Sequence, residues 1–117
     1  VEMEGKLGPA KGKDFDNANV LGPCIVTADE IGDPYALEMT ARVNGEEWSR
    51  GNSRDMHYEF EDLITYVSQS ETLHSGEVLG SGTVGNGCGL ELGKFLKRGD
   101  TVELEVEKIG ILRNRVV

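Results

Sequence analysis

Leu37-Glu38-Met39-Thr40-Ala41-Arg42-Val43-Asn44-Gly45-Glu46-Glu47-Trp48-Ser49-Arg50 reads as a β-hairpin. Leu37, Met39, Ala41 and Val43 alternate with Glu38, Thr40 and Arg42, the period of a strand with one covered face. Asn44-Gly45 follows, and both residues tolerate the positive φ that a two-residue hairpin turn demands. Residues 46–50 then return as the partner strand, carrying Trp48. Further along, Asp100 opens a second alternating run, with Val102, Leu104 and Val106 on one face and Glu103, Glu105 and Glu107 on the other. Gly110 interrupts that run, and residues 111–117 continue as another extended piece. Upstream, Cys24-Ile25-Val26-Thr27 is a short β-branched run that reads as a strand, and Glu77-Val78-Leu79 leads into a glycine loop. A single helix is expected over about 55–69, where Met56, Phe60, Leu63, Ile64 and Val67 form one apolar stripe. Ser53 or Asp55 is available to cap it, and Glu59, Glu61 and Asp62 favour the positive end of its dipole. The expected class is α+β, strand-rich, with one amphipathic helix.

The 117 residues suit one domain. Lys and Arg number 12 against 21 Asp and Glu, a net charge of −9. Neutralising phosphates needs a concentrated basic patch, and the cations here are scattered, so no nucleic-acid partner is expected. The apolar runs are only a few residues long, against roughly 20 for a bilayer span, so no membrane partner is expected either. Cys24 and Cys88 stand far apart with no Cys-x-x-Cys, and they read as reduced thiols in a cytoplasmic protein. The two histidines, His57 and His74, lack the i, i+4 spacing that puts two imidazoles on one metal.

Glycine is densest over residues 80–93, which begin Gly80-Ser81-Gly82-Thr83-Val84-Gly85-Asn86-Gly87. The first six residues match G-x-G-x-x-G, but a dinucleotide fingerprint requires a helix to start inside the motif, and Gly87 and Gly89 disfavour one there. Gly93-Lys94 fails as a phosphate loop because Cys88 occupies the first glycine position and Phe95 replaces the metal-binding Ser or Thr. Glu103, Glu105 and Glu107 lie about 7 Å apart along a strand and read as a solvated face. Glu2 and Glu4 read as a surface pair.

Two residues carry a chemical reading. Lys13 follows Gly12 directly and is flanked by Asp14 and Asp16, which keep an ammonium protonated. A fixed ammonium suits a substrate carboxylate or a developing enolate oxygen. Thr83, beside Gly82 within the glycine loop, offers a hydroxyl and a backbone N–H with little steric cover, an arrangement that suits an anion.

In order along the chain, Leu7-Gly8-Pro9, Gly12-Lys13-Asp14-Phe15-Asp16, Leu21-Gly22-Pro23-Cys24-Ile25-Val26-Thr27, Val43-Asn44-Gly45-Glu46, Asn52 with Asp55-Met56, Thr72-Leu73, Gly82-Thr83, Gly99-Asp100-Thr101-Val102-Glu103 and Ile109-Gly110-Ile111-Leu112-Arg113-Asn114 resemble the C-terminal portion of the fumarylacetoacetate hydrolase family. The resemblance implies a mixed β-roll or β-sandwich-like fold and a homodimer or larger assembly. It also implies a divalent cation, Mg2+ or else Mn2+ or Ca2+, in the full-length parent. The implied activity is hydrolysis of a C–C bond in a 2-oxo or β-diketo acid of the acylpyruvate or fumarylacetoacetate type, through an enolate stabilised by metal and ammonium. A hydratase, isomerase or oxaloacetate decarboxylase of the same family is the alternative, and a non-catalytic truncated or degenerate module is another.

Lys13 aligns with the family's active-site lysine, and Thr83, with Gly82, aligns with its carboxylate-binding threonine. The family's Glu-x-Glu and Asp ligands lie upstream of the Gly-Lys-x-Phe segment. The expectation is therefore that residues 1–117 form the C-terminal part of a single domain lacking its metal-ligand segment, with no tight cation site of their own. Ser81 and Val84 depart from the Thr-Gly-Thr-Pro found in many members.

Overall fold

The computed structural model describes residues 15–117. Helix α1 (Ala28–Ile31) is followed by strands β1 (Glu38–Val43) and β2 (Glu46–Asn52), a 3-10 turn (Ser53–Asp55), helix α2 (Phe60–Ser68), and strands β3 (Thr101–Val106) and β4 (Gly110–Arg115). The four strands form one antiparallel sheet in the order β2-β1-β3-β4. This is the strand-rich α+β arrangement the alternation predicts.

The hairpin forms as its turn residues require, with Asn44 at φ 51° and Gly45 at φ 82°. Its register slips once. Ala41 faces Ser49 but Arg42 faces Glu47, leaving Trp48 as the extra residue of a bulge. The Lys94 ammonium lies 5.0 Å from the Trp48 ring centroid and 3.1 Å from the Glu46 carboxylate, tying the end of the glycine-rich segment to this edge. In the centre of the sheet, Met39 pairs with Val106, Ala41 with Leu104 and Val43 with Val102. Among the described residues, Ile31, Leu37 and Val43 are the buried apolar side chains, joined by Thr40.

The structure differs from the sequence reading at three places. Residues 24–27 form no strand: Thr27 is the N-cap of α1, Ile25 is 96% exposed, and the Cys24 thiol donates to the Ile109 carbonyl at 3.4 Å. A β-branched run without a partner has no ladder to join. Helix α2 begins at Phe60 rather than near residue 55. The Ser53 hydroxyl is occupied elsewhere, donating to the Pro34 carbonyl at 2.7 Å and accepting the Leu37 N–H at 2.9 Å. Asn52 caps the 3-10 turn through the Arg54 N–H, and the helix instead starts at Glu59, whose N–H donates to Asp62 Oδ2 at 3.1 Å. Lastly, the glutamate face of β3 is covered by cations more than water. Glu103 pairs with Arg113 at 2.5 Å with its side chain only 16% exposed, and Glu105 pairs with Arg42 at 2.6 Å, while Leu104 on the opposite face is 48% exposed.

Candidate functional site

A cleft of about 720 Å3 opens between the sheet and α2. Met39, Val106 and Ile109 give it an apolar floor, and Phe60 and Leu63 of α2 form one wall. The opposite wall is the loop 81–85, which brings Gly82 and Thr83 to the cleft. Polar groups enter from one more direction, where Asn52, Ser53, Asp55 and His57 follow the end of β2. An apolar hollow with a few polar groups at its margin is the usual build of a small-molecule site.

The loop's shape comes from its local sequence. Gly82 has φ 88°, a conformation that costs a residue with a Cβ, although the space around it is open. Val84 then starts a turn in which its carbonyl accepts the Gly87 N–H at 2.7 Å, with Asn86 at φ 59°. A Cβ at Gly87 would lie 2.6 Å from that carbonyl oxygen, so the turn requires glycine there. Thr83 is exposed between these two fixed points, whereas Val84 is half-buried. A threonine hydroxyl and N–H next to a left-handed glycine can donate to one anionic oxygen.

Of the residues singled out in the sequence, Gly82 and Thr83 line the cleft; Lys13, Glu2 and Glu4 lie outside the described residues. His57 and Asp55 line it too, although their spacing carries no motif. His57 packs edge-on against Tyr58 with ring centroids 4.5 Å apart. Only the 3-10 turn, which redirects the chain after β2, places them there, and nothing in the local pattern announces it. Cys24 and Cys88 are free thiols. Among the described residues no three His, Cys, Asp or Glu side chains converge as a cation's ligands would, so these residues do not by themselves fit a metal. No helix among them is long and apolar enough to cross a membrane.

The strand-rich sheet with a glycine-loop cleft defines a class, and comparison with known proteins gives it a name. The profile of the fumarylacetoacetate (FAA) hydrolase C-terminal family matches residues 1–117, and the chain belongs to that family. It is 45% identical over 107 residues to an oxaloacetate tautomerase, mitochondrial, of Rattus norvegicus, covering 91% of this chain and 34% of the relative. It is 41% identical over 110 residues to a 2,4-didehydro-3-deoxy-L-rhamnonate hydrolase of a Sphingomonas strain, covering 92% and 38%. Among solved structures, a fumarylacetoacetate hydrolase from Exiguobacterium antarcticum superposes with a TM-score of 0.79 at 36% identity, covering 91% of this chain and 38% of that one. A maleylpyruvate hydrolase from Sphingobium, solved with manganese(II) and pyruvate, gives 0.73 at 30% identity over 82% and 34%. The chain thus spans about a third of the length of these relatives.

Proposed function

We propose that this chain is the C-terminal part of a single-domain enzyme that hydrolyses a C–C bond in an acylpyruvate or a related 2-oxo or β-diketo acid. The observation that carries the reading is the arrival of Gly82 and Thr83 at an apolar cleft, in a chain similar to an oxaloacetate tautomerase and a maleylpyruvate hydrolase. In this reading the Thr83 hydroxyl and N–H hold the substrate carboxylate, and the apolar floor receives the carbon chain. The Lys13 ammonium stabilises the enolate oxygen. Water oxygen bonds to the distal acyl carbon as the C–C bond breaks. The electron pair of that bond passes into the enolate of the 2-oxo fragment, which takes at carbon the proton that the attacking water gives up. A divalent cation (Mg2+, Mn2+ or Ca2+) and a homodimeric or larger assembly belong to the same proposal for the full-length protein. The described donors supply no ligand set for the cation.

The test uses a full-length protein containing this chain, assayed on acylpyruvates and oxaloacetate. Lys13→Ala is expected to lower kcat by roughly 10²- to 10³-fold, the usual effect of removing one preorganised donor to a developing oxyanion. An unchanged kcat on every accepted substrate overturns the role.

The identity of 45% to an oxaloacetate tautomerase favours a second reading, in which the same enolate is formed and quenched without C–C cleavage. A proton then moves between C3 and the oxygen on C2 of the oxo acid. Decay of the enol absorbance of oxaloacetate with no fragment released would select this reading over hydrolysis.

A further inference from the structure

Gly51 is the next-to-last residue of β2, where glycine weakens a strand and has no side chain to pack. Its backbone is ordinary strand, outside the left-handed region, so conformation does not call for glycine. Space does. A Cβ at position 51 would lie 2.1 Å from Val84 Cγ1 and 3.4 Å from Val84 Cβ. Gly51 pairs with Met39, which belongs to the cleft floor, so the gap it leaves opens on the side where the loop 81–85 lies. Val84 fills that gap from above, and the next residue back along the chain is Thr83.

We propose that Gly51 is a positioning residue for the carboxylate-binding loop: the notch it leaves in β2 receives the Val84 side chain and so fixes Thr83 over the cleft. The side chain in the notch holds the loop against β2, and the Val84 carbonyl, which accepts the Gly87 N–H at 2.7 Å, fixes the turn that follows within the loop. Valine suits the role because two heavy substituents on Cβ stiffen χ1, so the knob cannot easily turn aside. The inference deepens the proposed function and rests on it for the role of Thr83.

The test is a two-position cycle in a full-length protein containing this chain, read as KM and kcat on oxaloacetate or an acylpyruvate. Gly51→Ala is expected to raise KM by about 10-fold or more, with a smaller change in kcat, since a displacement of about 1 Å in a positioning group costs up to roughly 10²-fold. Adding Val84→Ala removes Cγ1 and leaves Val84 Cβ as the nearest atom, at 3.4 Å, so the double variant is expected to recover most of the lost affinity. An unchanged KM in Gly51→Ala, or a rise that Val84→Ala fails to relieve, overturns the inference. Should Gly51→Ala not fold, Val84→Ala alone is expected to raise KM by freeing the loop, and an unmoved KM counts against it. A wild-type protein inert towards every 2-oxo acid overturns the functional reading instead. The notch is then judged by the amide resonance of Thr83: a shift in Gly51→Ala that reverts in the double variant supports it, and an unmoved resonance overturns it.

Discussion

Tyr35 donates its phenolic hydrogen to a Glu61 carboxylate oxygen while the same hydroxyl accepts the Phe60 N–H at 2.8 Å. One side chain thereby satisfies an amide of the first turn of α2, which has no acceptor within the helix, and joins the segment before β1 to that helix. The Tyr35 bond, with help from the Glu61 backbone N–H, holds the Glu61 carboxyl below its ordinary range. A carboxyl depressed in the folded state adds stability that is complete above the ordinary carboxylate pKa and is lost as pH falls through the depressed value. Tyr35→Phe is therefore expected to lower the urea midpoint at neutral pH, with the gap to wild type narrowing in acid. The same bond raises the Tyr35 phenol, so its contribution is present below the ordinary phenol pKa and is lost as pH rises through the raised one.

Asn44 serves the hairpin turn and the start of β3 together. Its Nδ2 donates to Asp100 Oδ1 and its Oδ1 accepts the Thr101 N–H, both at 2.9 Å. Asn44→Ala removes both bonds from a residue at φ 51° and should lower the urea midpoint. Asn44→Gly, which keeps the backbone at ease, should cost less. The Lys97 N–H, and after it Asn44, lowers the Asp100 carboxyl, so this clamp too loosens as pH falls through the depressed value.

Thr83→Val preserves shape and deletes the hydroxyl. If that hydroxyl binds a carboxylate, KM for 2-oxo acids should rise by roughly 10- to 100-fold, the worth of a hydrogen bond to a charged group. Thr83→Ser should restore it. The melting temperature should hold in both, because Thr83 is exposed.

The cross-strand ion pairs Arg113–Glu103 and Arg42–Glu105 bind neighbouring strands, and Arg113 stays largely exposed although the Glu103 side chain is mostly covered. Glu103→Gln and Glu105→Gln should each cost no more than about 1 kcal/mol. The cost should shrink further at about 1 M salt, where screening acts within a few ångströms. Thermal melts at two ionic strengths check both.

The hairpin and β3 were legible because their information is local: alternation in Leu37–Val43 and Val102–Val106, and Asn44-Gly45 between the paired runs. The pairing of β1 with β3 was not, since Met39 and Val106 are distant in sequence and each pattern says only that a partner exists. The stripe of α2 was visible, but Met56 extends the same spacing backwards while serving as the C-cap of the 3-10 turn, so periodicity misplaced the start. The glycine neighbours of Thr83 singled it out in the sequence, and the structure places it on the cleft. Gly51 could not be found in that way, because its signal is a missing side chain whose purpose is apparent only with Val84 in place.

The segment that carries α2 and Thr83 leaves the sheet at Asn52, opposite Glu38, and rejoins it at Thr101, beside Asn44 at the far end of β1. It is a handle fastened at both ends of one strand. Because lengthening a flexible loop costs only about 0.6 kcal/mol per doubling, such a handle can gain or lose residues while its anchorage stays put. Relatives that differ in the shape of the cleft are accordingly best sought, or bred in the laboratory, by varying this interval and leaving the strands alone.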